Sequence, residues 1–196
     1  MTLIKNPLAK ALIFDLDGTL ADTMPSHYKA WVEVATIYGF HFPQDLFYSL
    51  AGVPTFKIVS ILNEKFSKSM DPEETHDQKE HAFLKYINII KPIAPVLNLA
   101  IEHFGKLPMS VGTGGVPDVV KLTLEAIKAD KYFDIVVTAR DVKNFKPAPD
   151  TFLRCAELMK VDPQFCEVFE DSDLGIEAAQ SAGMIATDIR HFTIKV

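Results

Sequence analysis

Residues 12–23 read LIFDLDGTLADT, an apolar run that turns abruptly acidic and then meets a glycine. With Ala11 ahead of it, the apolar part (ALIF, 11–14) has no polar face, as expected of a strand buried on both sides within a parallel sheet. Asp15 and Asp17 lie two apart, so they would share one face of a continuing strand, and Gly18 lets the chain turn at once. Asp22 adds further negative charge close by. That much charge at the end of a buried strand requires compensation from elsewhere in the chain.

Four more runs of buried-strand character follow: MSVGT (109–113), DIVVTA (134–139), CEVFED (166–171) and MIATDI (184–189). Helical spacing fills the gaps, with Val119, Val120, Leu124 and Ile127 after Pro117, and Phe152, Leu153, Ala156 and Met159 after Pro149. Strands alternating with helices predict an α/β fold, a Rossmann-like parallel sheet with helices on both faces and ligands at the strand C-termini. Residues 23–91 break this rhythm with helical patterns alone. Trp31, Val34, Ala35 and Tyr38 end at Gly39, Phe56, Val59, Leu62 and Phe66 form a second apolar face, and Phe83, Tyr86, Ile87 and Ile90 form a third. Asp71-Pro72-Glu73-Glu74 is a helix start. The expected organisation is a core of residues 1–22 and 92–196 interrupted by a helical cap, 23–91, acting as a lid, with KPIAPV (91–96) as the return hinge.

Composition narrows the function classes. The chain has 196 residues, 48% of them hydrophobic, and 20 basic against 26 acidic side chains give a net charge of −6. This argues against a nucleic-acid partner held by net charge, so an anionic ligand has to be gripped locally. Cys155 and Cys166 fit no metal-ligand spacing and read as reduced structural thiols. The N-terminal MTLIKNPLAK lacks a long apolar region with a cleavage site, and no run suits a membrane span. The expected compartment is the cytoplasm, with no membrane partner, and monomer is the default state.

A second acidic pair, Glu170 and Asp171, closes the strand CEVFED just as Asp15 and Asp17 close the first. Were Asp15, Asp17 and Asp171 to meet at about 5 Å, each pair would repel by roughly 3 kcal/mol at an effective dielectric near 20. Protonation or a cation must offset this, and an oxygen-only donor set without clustered His or Cys selects a hard ion, Mg²⁺ before Ca²⁺. An EF-hand is excluded because Gly18 is fourth from Asp15, where that loop needs glycine sixth. Thr113 and Gly114 of SVGTGG lie between a strand and a helix, where hydroxyl and N–H groups can face a phosphate. Pro117 occupies the place of the third glycine of a dinucleotide fingerprint, so dinucleotide binding drops out. Lys146, held extended by Pro147, can aim one ammonium group inward. AQSAG (179–183) puts Ser181 late in a helical run, not at the sharp turn a hydrolase serine needs.

Taken in order, DLDGT, SVGT, KPAPD and FEDSDLGIEAA make the whole chain resemble the haloacid dehalogenase (HAD) superfamily of phosphatases and phosphomutases. The insertion is similar to the helical cap of the branch containing β-phosphoglucomutase, and within it to bacterial phosphatases acting on fructose 1-phosphate and 6-phosphogluconate. The resemblance implies that Asp15 attacks phosphorus to form an aspartyl-phosphate, while Asp17 serves as acid and then base. It implies Mg²⁺ on the Asp15 side chain, the Asp17 carbonyl and Asp171, with Glu170 as a further ligand or one shell behind. Thr113, Gly114 and Lys146 would grip the phosphoryl oxygens of a small phosphorylated sugar. Thr23 and His27 match residues that govern the acid/base aspartate in the capped branch, and Lys79 matches a cap lysine. Where the mutase carries an arginine after its Gly-Val, AGVPTFK has Thr55, with Lys57 nearby, which favours transfer to water. β-Phosphoglucomutase activity is the alternative, and a non-catalytic phosphate-ligand binding protein the remote one.

Overall fold

The computed structural model describes residues 2–50 and 53–192. Along the chain the elements are β1 (Ala11–Phe14), β2 (Ala21–Asp22), α1 (Met24–Ile37), α2 (Gln44–Ser49), α3 (Thr55–Phe66) and α4 (Pro72–Leu84). There follow β3 (Lys91–Pro92), α5 (Ala94–His103), β4 (Met109–Gly112), α6 (Pro117–Ala126), β5 (Ile135–Val137), α7 (Asp150–Met159), β6 (Cys166–Glu170), α8 (Asp173–Ser181) and β7 (Ile185–Asp188). The chain divides into two compact units, Met1–Asp22 with Lys91–Val196, and Thr23–Ile90. Among the described residues no helix is long and apolar enough to cross a membrane.

The first unit holds a five-stranded parallel sheet in the order β5-β4-β1-β6-β7. Its central strand β1 is buried along its whole length because both faces are covered. Successive side chains alternate between those faces. Ala11 and Ile13 join Cys166 and Val168 in a core closed by Phe152, Cys155, Ala156 and Met159 of α7 and Ala178 and Ala179 of α8. On the opposite face Phe14 stacks on Phe169 at 5.0 Å between centroids and meets the edge of Phe133 at 5.6 Å. This is the Rossmann-like α/β core expected from the alternating pattern.

β1 spans the expected 11–14, while the other four strands stop short of their expected ends, so that Thr113 and Asp171 are the first residues past β4 and β6. Pro117 opens α6, whereas Pro149 is the residue before α7 and not part of its first turn. The segment expected as a return hinge, 91–96, begins at the boundary between the two units and carries regular structure. Lys91–Pro92 pairs antiparallel with Ala21–Asp22, and Pro95 sits in the first turn of α5.

The second unit is helical. Trp31, Val34 and Ala35 of α1 pack with Phe42, Phe47, Ile58, Val59, Leu62 and Met70. Asp71 caps α4 by accepting hydrogen bonds from the backbone N–H groups of Glu73 and Glu74, as the Asp-Pro-Glu-Glu start predicts. The third apolar pattern does not stay α-helical to Ile90. α4 ends at Leu84, and Ile87–Ile89 form a 3₁₀ turn.

One buried acid lies within the sheet itself. Glu167 is 1% exposed and accepts hydrogen bonds from the Asn6 N–H and the Thr187 hydroxyl, both at 2.7 Å. Burial pushes its carboxyl pKa up, against those two hydrogen bonds and the charges of Lys5 and His103. A raised folded-state pKa means that the contribution to stability is full below the unfolded pKa and is lost as pH rises through the folded one. The unfolding free energy of wild type relative to Glu167→Gln should therefore fall as pH rises from the ordinary carboxyl value of about 4 toward neutrality in urea denaturation. A difference that stays flat over that range would contradict the assignment.

Candidate active site

In a parallel sheet all strand C-termini lie along one edge, and the order β4-β1-β6 makes Thr113, Asp15 and Asp171 neighbours there. The backbone of Asp15 continues the ladder, its N–H donating to the Phe169 carbonyl at 3.0 Å. The chain then folds back on itself. The Leu16 carbonyl accepts from the N–H groups of Leu20 and Ala21, and Gly18 N–H donates to the Ala21 carbonyl at 2.8 Å. Gly18 has φ +87°, and a Cβ there would lie 2.3 Å from Asp171 Oδ2, so both conformation and space require glycine.

The charge centre is Lys146. Its Nζ donates to Asp15 Oδ1 at 2.6 Å and to Glu170 Oε1 at 2.8 Å, and sits 4.6 Å from the centroid of Phe152. The loop carrying it is tied at both ends. Thr138 and Asp141 exchange hydrogen bonds before it, and Asp150 Oδ2 accepts from both the N–H and the side-chain amide of Asn144. Glu170 accepts a second hydrogen bond, from Ser172 N–H at 2.6 Å, and a Cβ on Gly175 would lie 1.8 Å from its Oε1. Gly175 is thus what lets a wholly buried glutamate lie under α8.

Oxygens of Asp15, Glu170 and Asp171 come within 4.8 Å of one another. Asp17 is close enough for its charge to raise the pKa of both Asp15 and Asp171. Burial drives the Asp15 carboxyl well above its usual range; Lys146 opposes this, while Glu170, Asp171 and Asp17 add to it. Burial, then Glu170, pushes Asp171 up to about 7, against a hydrogen bond from Thr19. Burial favours a neutral Lys146, but the attraction of Asp15 and Glu170 outweighs it and raises the pKa of the ammonium. One positive charge thus faces four carboxylates, and the all-oxygen donor set fits a hard divalent cation, which would offset the remainder.

On the β4 side, Thr113 is buried and its Oγ1 accepts from Gly115 N–H at 3.0 Å. Gly114 opens onto free space, whereas a Cβ on Gly115 would meet Val120 at 2.8 Å and come within 3.8 Å of Asp17 Oδ2. The glycine that packs closely is Gly115, next to the one the motif points to.

The structure therefore brings Asp15, Asp17, Thr113, Lys146, Glu170 and Asp171 to one sheet edge. The remaining candidates belong to the helical unit. Thr23 is the buried residue that precedes α1. His27 stacks on Phe83 at 4.3 Å between centroids, and Lys79 holds its ammonium 5.4 Å from the same ring while pairing with Glu80 at 2.7 Å. Thr55 begins α3, Lys57 is exposed, and Gly52 of AGVPTFK lies outside the described residues. Sequence reasoning missed Thr19, Gly115, Gly175 and Phe152. Thr19 and Gly115 lie inside the quoted motifs DLDGT and SVGTGG, Phe152 inside a helical apolar pattern, and Gly175 stands out as a glycine inside a helix, but none of these signals gives the partner.

A family model described as haloacid dehalogenase-like hydrolase matches residues 12–188. The chain belongs to this family. Fructose-1-phosphate phosphatase YqaB of Escherichia coli (strain K12) is 42% identical over 91% of this chain and 95% of its own length. The phosphorylated carbohydrates phosphatase of Thermotoga maritima is 34% identical, covering 89% of this chain and 82% of that protein. A crystal structure of β-phosphoglucomutase from Clostridium difficile aligns with a TM-score of 0.77 at 27% identity, over 92% of this chain and 84% of that one. The protein is an enzyme, a phosphatase of the haloacid dehalogenase-like kind.

Removing one partner of a buried ion pair strands the other, at a cost of about 3–5 kcal/mol. Lys146→Ala should lose about that much unfolding free energy in metal-free buffer near neutral pH. The loss should shrink toward acid pH, because Asp15, no longer held down by Lys146, neutralises more readily there. Urea denaturation at several pH values measures both, and a loss independent of pH would contradict the charge argument.

Proposed function

We propose that the protein hydrolyses a small sugar phosphate, of the fructose 1-phosphate or 6-phosphogluconate type, with Mg²⁺ and through an aspartyl-phosphate on Asp15. The observation that carries this reading is the Lys146 ammonium held between Asp15 and Glu170 at the strand ends, beside Asp17 and Asp171. The 42% identity to a fructose-1-phosphate phosphatase and 34% to a phosphorylated carbohydrates phosphatase support the substrate class.

In this mechanism the Asp15 carboxylate, its Oδ1 fixed by Lys146, attacks phosphorus as the bond to the sugar oxygen breaks. Asp17 gives its proton to the departing alkoxide. It then takes a proton from the water that attacks the phospho-enzyme, which releases inorganic phosphate and restores Asp15. Lys146, Thr113 and the N–H groups around Gly114 hold the phosphoryl oxygens as charge builds on them. Asp15, the Asp17 carbonyl and Asp171 would hold Mg²⁺, which when bound neutralises carboxylate and phosphoryl charge. Glu170, with both oxygens engaged by Lys146 and Ser172, would stand behind that set. The helical unit is read as a cap, with Thr23, His27, Thr55 and Lys79 assigned to substrate selection. The likeness to β-phosphoglucomutase keeps phosphoryl transfer between sugar positions as the alternative outcome.

Phosphate release from a panel of hexose, hexonate and glycolate phosphates, with and without Mg²⁺, tests the reading. Fructose 1-phosphate or 6-phosphogluconate should be turned over, chelation should stop turnover, and Asp15→Asn should abolish it. Asp17→Asn should lower kcat by about 10²–10⁴-fold. Conversion of β-glucose 1-phosphate to glucose 6-phosphate with little free phosphate would establish the mutase instead.

A further inference from the structure

Lys146 reaches Asp15 and Glu170, and among the described side chains the hydrogen bond to Asp171 comes from Thr19. The Thr19 hydroxyl donates to Asp171 Oδ1 at 2.9 Å, and Thr19 is 0% exposed. A donor this deeply buried cannot exchange its partner for water, so the bond fixes the rotation of the Asp171 carboxylate. The other oxygen is shaped by the residue before it. Oδ2 lies where a Cβ on Gly18 would be 2.3 Å away, so the glycine keeps that oxygen clear. Two consecutive residues of the turn after β1 thus set the Asp171 carboxylate, Gly18 by leaving it room and Thr19 by binding Oδ1, while no hydrogen bond from a described side chain engages Oδ2.

We infer that Thr19 is a positioning residue for the cation site: it occupies Asp171 Oδ1 and so presents Oδ2 as a single, oriented ligand to Mg²⁺. The inference rests on the proposed metal-dependent reading. It assigns Thr19 no contact with substrate or reacting atoms, since its action passes through Asp171. Partners that orient a metal ligand from behind typically account for 10–100-fold in metal affinity.

Calorimetric titration of the metal-free protein with Mg²⁺ alone tests it. Thr19→Val and Thr19→Ala should raise the Mg²⁺ Kd by about 10–100-fold, while Thr19→Ser, which keeps the hydroxyl, stays near wild type. The Mg²⁺ concentration giving half-maximal phosphatase activity should rise in parallel, with kcat at saturating Mg²⁺ nearly unchanged. A residue that served only packing would shift the melting temperature and leave the Mg²⁺ Kd alone. Should Thr19→Val fail to fold, the Ala and Ser variants both lack the methyl group and differ by the hydroxyl, so equal Mg²⁺ affinity in those two would overturn the inference. Wild type and Asp171→Asn separate the layers. Wild-type binding that is lost in Asp171→Asn but unmoved by Thr19→Ala sinks the role of Thr19 alone, and no wild-type binding sinks the metal reading with it.

Discussion

The ammonium of Lys146, shared at 2.6 and 2.8 Å between Asp15 and Glu170, is the contact on which the rest of the site depends. Each of these three groups is buried, and each alone would be costly to ionise there. Asp15 and Glu170 keep the ammonium charged, Lys146 offsets part of the cost of burying Asp15, and the Phe152 face beneath the ammonium adds a further attraction without adding another negative charge. The same arithmetic shows why the cluster is poised and not relaxed. One cation cannot match four carboxylates, and the excess appears as the raised pKa of Asp15 and Asp171. A site left short of positive charge in this way suits a hard cation of its own, as the proposed function requires.

Such crowding is possible only because the sheet imposes it. Adjacent parallel strands β4, β1 and β6 end at one edge, so side chains more than a hundred residues apart become neighbours with no flexible chain between them. Two glycines then clear the remaining space. Gly18 makes room for Asp171 and Gly175 makes room for Glu170, each at a distance no Cβ tolerates. The acids sit on rigid strand ends, and the lysine arrives on a loop pinned by Asp141 and Asp150. The elements that fix position therefore belong to the core of the first unit.

The fold was legible where chemistry and period coincide. ALIF is apolar throughout, and CEVFE is interrupted only by the buried Glu167 before its terminal Glu170, because both strands are buried on both sides, and the acids at their ends mark where the strands stop. What was missed has physical reasons. The six residues of α2 are too few to show a period, and α5 carries Pro95 in its first turn just after Pro92, a pair that reads equally well as a hinge. The spacing of Phe83, Tyr86, Ile87 and Ile90 suits an α-helix, but over a single turn a 3₁₀ segment presents nearly the same stripe. In the site, ionisable residues in motifs announce themselves, whereas Thr19 reads as an ordinary turn residue until its partner Asp171, at the far end of the sequence, is known.

The helical unit bears on the choice between hydrolysis and transfer. A mutase must hold a second phosphate, a dianion, which calls for positive charge not already spent on a neighbour. Here the buried Lys79 is matched by Glu80 at 2.7 Å, Lys57 is exposed, and position 55 carries threonine. A lysine and glutamate paired in this way form a nearly neutral unit, and His27 stacks on the fully buried ring of Phe83. On the proposed reading, the threonine at position 55, where the mutase carries an arginine, favours a sugar with one phosphate and water as the acceptor.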